Sequence, residues 1–159
     1  MNRSGRSLAI VLLLLAACGP AWAASNVNHQ VTVTVTAINE ITLAGGNITL
    51  TINSATGGSE PDPATNATCS IAWTTTETGR KITAQTSLAT PEYELEVEAT
   101  GVTGGTTAGA VVLTTTGQDF VTGVAETTGG ATLSYTATAT ASDGTGTEVN
   151  TVTYTVTAA

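Results

Sequence analysis

The chain has 159 residues, of which only 10% are charged: four Lys and Arg against twelve Asp and Glu give a formal net charge of −8. Such an acidic balance, with no basic cluster, excludes nucleic acid and anionic membrane surfaces as partners, because both are gripped by grouped Lys and Arg. A single histidine, His29, and two cysteines spaced far apart leave no set of ligands for an ordinary zinc site and no cofactor motif.

Residues 1–23 read as an export signal. Arg3 and Arg6 form a positive start, Leu8 to Ala17 an apolar run, and Ala21-Trp22-Ala23 a cleavage site of the A-x-A kind. The run is too short for a bilayer, which needs about 20 residues, and no later segment approaches that length, so no transmembrane segment is expected. Leu15-Ala16-Ala17-Cys18 also matches a lipobox, in which Cys18 would carry lipid. Both readings take the protein out of the cytoplasm, to the periplasm, the outer surface or the medium. Only the second attaches it to a membrane. The exported part, 24–159, is the size of one domain. It keeps only Arg80 and Lys81 as cations, so its net charge is 2 − 12 = −10.

From residue 29 onward the pattern is threonine at alternate positions, with 36 threonines in the chain. Thr32, Thr34 and Thr36 interleave with Val31, Val33 and Val35, and Thr151 to Thr157 with Val152, Tyr154 and Val156. A period of two is the period of a strand, and β-branched, hydroxyl-tipped threonine suits its wet face. Strands are predicted near 29–38, 47–53, 68–76, 80–86, 92–100, 109–115, 119–125, 131–141 and 149–157, with a short extra one at 40–43. Glycine- and proline-rich breaks separate them. The expectation is an all-β, antiparallel β-sandwich of about nine strands with Ig-like or Greek-key connections.

Parity assigns the dry face to Val31, Val33, Val35, Ile48, Leu50, Ile52, Ile71, Trp73, Tyr93, Leu95, Val97, Val111, Leu113, Phe120, Leu133, Tyr135, Val152, Tyr154 and Val156. Cys69 shares the face of Ile71 and Trp73 and reads as a small buried hydrophobe. One hairpin is specified further, with Ile82 opposite Val97, Ala84 opposite Leu95 and Lys81 opposite Glu98.

Catalytic chemistry is not in view. His29 stands alone among polar neighbours near the start of the exported chain, where a general base would have no partner. The carboxylate row Glu92, Glu94, Glu96 and Glu98 fans out along a strand. Asp143 and Glu148, in the loop Ser142 to Glu148, are the better candidates for calcium, although the loop lacks the regular spacing of a calcium motif. Sugar-binding sandwiches present aromatic side chains to solvent, whereas Trp73, Tyr93, Tyr135 and Tyr154 all fall on the inward parity.

The stretch from His29 to Ile52, with the closing Thr151 to Thr157, resembles a group of small exported bacterial all-β proteins of uncharacterised function. A looser likeness is to fimbrial surface subunits, which complete one another with an N-terminal alternating strand. Val31, Val33 and Val35 match that strand, although the subunit disulfide and the aromatic near the C-terminus are missing. What this implies is a non-enzymatic structural or interaction protein whose partner is another protein or a second copy, met at strand edges. The alternative is a glycan- or calcium-binding module. The strand 30–38 itself is expected to complete its own sandwich, since about nine strands suffice to close one.

Overall fold

A computed structural model describes residues 25–159. Residues 1–23, read as an export signal with its cleavage site, and Cys18 lie outside the described residues. Residues up to Thr34 form a unit separate from Val35–Ala159. Within that first unit, residues 25–34 are exposed throughout and form neither strand nor helix.

The second unit holds nine strands in two antiparallel sheets, and among the described residues there is no helix. The five-stranded sheet runs in the order β1 (Asn39–Ala44), β2 (Ala64–Thr75), β8 (Thr127–Thr138), β4 (Glu94–Thr103) and β6 (Ala110–Val112). The four-stranded sheet runs β5 (Thr106–Thr107), β7 (Gln118–Val124), β3 (Arg80–Thr86) and β9 (Val152–Ala158). Strand neighbours are mostly not consecutive in the chain, so the connections arch from one sheet to the other. The expected β-sandwich is the observed architecture.

The core lies where the two inner faces meet. Cys69, Ile71, Trp73, Val97, Ala99, Leu133 and Tyr135 come from the five-stranded sheet, and Ile82, Ala84, Phe120, Val121 and Val124 from the four-stranded one. Large aromatics are few, so burial of Val, Ile, Leu and Phe supplies the apolar contribution, about 1.5–3 kcal/mol for each side chain fully removed from water. Trp73 is the largest buried side chain of β2, and its cross-strand neighbours are Ile41 on β1 and Gly129 on β8. Glycine at 129 leaves the space that the indole fills, since a Cβ there would collide with the ring and with the Thr103 carbonyl.

Strand β7 departs from strict alternation. Its register against β3 shifts twice, between Arg80 and Ile82 and between Ile82 and Thr83. The extra residues turn Phe120 and Val121 inward together, both fully buried. Gly123, with φ of 65°, supplies the left-handed conformation that one of these irregularities uses.

Four expectations are corrected. Residues 29–38 form no strand, and Val31, Val33 and Val35 are not inward but 73%, 83% and 72% exposed. The edge position beside β2 is taken instead by β1, the short segment expected only as an extra. The segment 47–53 keeps its alternation, with Ile48 and Leu50 resting on the core, but joins no ladder. The reason is the Gly45-Gly46 pair, both at positive φ, which breaks the line of β1 where its backbone passes within van der Waals contact of Cys69.

The hairpin of 80–86 with 92–100 does not form. β3 pairs with β7 and β9, and β4 with β6 and β8. Ile82 and Val97 both face the core, but from opposite sheets, because the loop with Pro91 arches across the sandwich instead of turning tightly. Lys81 therefore pairs with Asp119 at 2.8 Å, not with Glu98. The glutamate row lies among hydroxyls and small side chains: Glu94 opposite Thr138, Glu96 opposite Thr136 and Glu98 opposite Ser134. Finally, the predicted strand 109–115 is shortened to β6, Ala110–Val112, which begins just after Gly109 at φ 88°.

Candidate functional site: an open strand edge and an acidic cleft

Among the described residues β1 pairs with β2 alone and is an edge strand. Its direction is fixed at its start by the turn after β2. The Ile38 N–H donates to Thr76 Oγ1 at 2.9 Å, and the Thr76 N–H to the Ile38 carbonyl at 3.0 Å. Thr76 Oγ1 also donates to the Thr36 carbonyl at 3.4 Å. Ile38 thus spends its backbone groups on its own sheet. Because antiparallel pairing alternates along a strand, the N–H and C=O of Asn39, Ile41 and Leu43 face the other way, along the open edge.

A groove of about 230 Å³ runs beside this edge, between β1 and the edge strand β9 of the other sheet. Its walls are Ile41, Leu43, Ile71, Val152 and Tyr154 with two threonines. Leu43 is 55% exposed there. The edge has no proline, lysine or bulge to blunt it, and Glu40 is its single charge. Apolar side chains at an unpaired, hydrogen-bonding edge suit a further strand better than a small molecule.

The larger cavity, about 500 Å³, opens at another place, between the loop before β4 and the chain after β8. Glu92, Tyr93, Glu94, Leu95, Thr140 and Asp143 are among its walls. Tyr93, expected inward, stands half-exposed here because it precedes β4 and escapes the strand's parity. Partial burial, then the carboxylates of Glu92, Glu148 and Asp143, hold its phenol above the ordinary value. Both calcium candidates serve the loops. The Asp143 carboxylate accepts the Thr140 N–H at 2.6 Å, and the Glu148 carboxylate accepts the Glu92 N–H at 2.9 Å and an Asn150 amide N–H at 3.0 Å. Among the described residues no three His, Cys, Asp or Glu side chains converge to hold a metal ion. His29 is exposed.

A third feature ties the sheets together. The hydroxyls of Tyr135 on β8 and Tyr154 on β9 share a hydrogen bond of 2.7 Å. Burial raises both phenols; the hydrogen bond between them raises Tyr154 further and opposes the rise of Tyr135. Both therefore remain protonated where an exposed tyrosine would begin to ionise, near pH ~10. Cys69 is buried, and its thiol lies 3.5 Å from the Gly46 carbonyl. It is the packing residue that the alternation of β2 indicates.

The parity of the sequence marked Val31, Val33 and Val35 as an apolar row and missed that Ile41 and Leu43 are the edge beside which the groove opens. The signal was present: Val31, Val33, Val35, Ala37, Ile41 and Leu43 share one parity, broken only by Asn39. No family model, no curated protein and no solved structure matches the chain.

Proposed function

We propose that this is a non-enzymatic structural or interaction protein, exported from the cell, that associates with its own kind through strand edges. The observation that carries the reading is the row Val31, Val33 and Val35, three alternating valines that belong to no strand, each more than two-thirds exposed. Left in water, each forgoes roughly 1.5 kcal/mol or more of burial. Among the described residues none of the three joins a ladder. An apolar, alternating, uncharged arm and an open apolar edge on one chain are complementary parts of a β-addition contact. Export rests on the residues of the first 23 positions.

The reading is tested by light scattering over a range of concentrations. The wild-type protein is expected to show a mass that rises with concentration. Val33→Lys is expected to weaken association by at least about tenfold while leaving the far-ultraviolet spectrum and melting temperature of the dilute protein unchanged, because it forces a charge into the apolar contact and touches no residue of the core. A wild-type mass that stays monomeric at all concentrations overturns the reading.

A further inference from the structure

We infer that the arm pairs antiparallel with β1 of a second copy, about a twofold axis at Ala37, so that each arm lies on the other's open edge. This rests on the self-association proposed above and names where the arm goes. The argument starts from parity. Val31, Val33, Val35, Ala37, Ile41 and Leu43 fall on one side of a continuous run, and in β1 that side faces the core. The apolar row begins at 31 and ends at 43, so its centre is residue 37. Antiparallel pairing of two such runs about that centre places Val31 opposite Leu43, Val33 opposite Ile41 and Ala37 opposite itself. Directly opposed residues in an antiparallel pair share a face, so both dry sides coincide. Val31 and Val33 of each copy then extend the wall of the other's groove beside β9.

The hydrogen-bonding groups agree with the same arrangement. The groups of Asn39, Ile41 and Leu43 face the open edge, and their partners in this register are Val35, Val33 and Val31, which have the same alternation. Charge agrees as well. Glu40 is the single charged residue between 30 and 44, and it falls opposite Thr34. A parallel, in-register pairing would instead set Glu40 against Glu40. A return of the arm onto its own β1 needs a reversal between Thr36 and Asn39. That stretch contains no glycine or proline, and Thr36 and Ile38 are both held by Thr76. The pairing is isologous and closes at two copies.

The test is the double variant Thr32→Cys/Thr42→Cys, oxidised under mild conditions. Thr32 and Thr42 lie on the wet side and are opposed across the axis as a pair not bonded through the backbone, where Cβ atoms come closest. The expected product is a covalent dimer as the main species. Neither single variant alone should form it, and a mixture of the two single variants should form a disulfide heterodimer. A ladder of longer covalent chains would show head-to-tail addition and overturn the twofold arrangement. A monomer with an internal disulfide would place the arm on its own β1 and overturn it too. Association without any disulfide would overturn the pairing but leave the proposed self-association standing. A protein that remains monomeric, with free thiols, would sink both.

Discussion

Trp73→Ala is expected to destabilise the fold by about 3–5 kcal/mol, the range for a large aromatic removed from a packed core. The residue is only 3% exposed, opposite Ile41 of β1 and Gly129 of β8. Its indole N–H is buried with no hydrogen-bond partner among the described residues, so the substitution removes packing without breaking a polar contact there. Thr138→Ala should cost under about 1 kcal/mol, since its hydroxyl reaches only the Glu94 carboxylate, at 3.5 Å on the wet side of β8. Urea unfolding of both variants decides the matter. Equal losses would mean that the inner and outer faces of the five-stranded sheet have been exchanged.

Gly129→Ala is the second large effect, about 1–3 kcal/mol of destabilisation from overpacking. The added methyl points into the Trp73 ring and the Thr103 carbonyl, and backbone cannot step aside as a flexible side chain would. Gly57→Ala provides the contrast, because a Cβ there meets nothing within 4 Å and its φ is not in the left-handed range. It should be neutral, or stabilising by a few tenths of a kcal/mol through the unfolded chain. If the ring is what the methyl strikes, Trp73→Ala should absorb most of the cost of Gly129→Ala, a coupling that denaturant curves for the double variant will read. Additive losses would place the strain at the Thr103 carbonyl instead.

These two sites show what the alternation of the sequence conveys and where it stops. Parity tells which side of a strand is dry. It placed Ile71, Trp73, Val97, Leu133 and Tyr135 inward, and all are buried. It does not name a partner. Ile82 and Val97 have the parity of a hairpin pair but belong to opposite sheets, since the length and shape of the loop at Pro91 settle that, not the faces. Nor does it foresee a bulge, and Phe120 and Val121 are buried side by side because β7 holds extra residues against β3. At the N-terminal end one apolar row runs from Val31 to Leu43, longer than the edge of β2 that receives it. Periodicity cannot say which part of so long a row docks. The glycine pair 45–46 and the turn at Thr76 decide in favour of 39–44, and the valines are left over. Tyr93 escaped the same rule by lying just before β4, where no ladder fixes its face.

The central claim is that these leftover valines become a strand when copies meet. Hydrogen exchange of the backbone amides from Gln30 to Ala37, followed at low and at high protein concentration, tests it most directly. The account predicts rapid exchange of the whole stretch in dilute solution and strong, alternating protection of Val31, Val33, Val35 and Ala37 when the protein is concentrated. Rapid exchange at both concentrations, or equal protection at both, would contradict it.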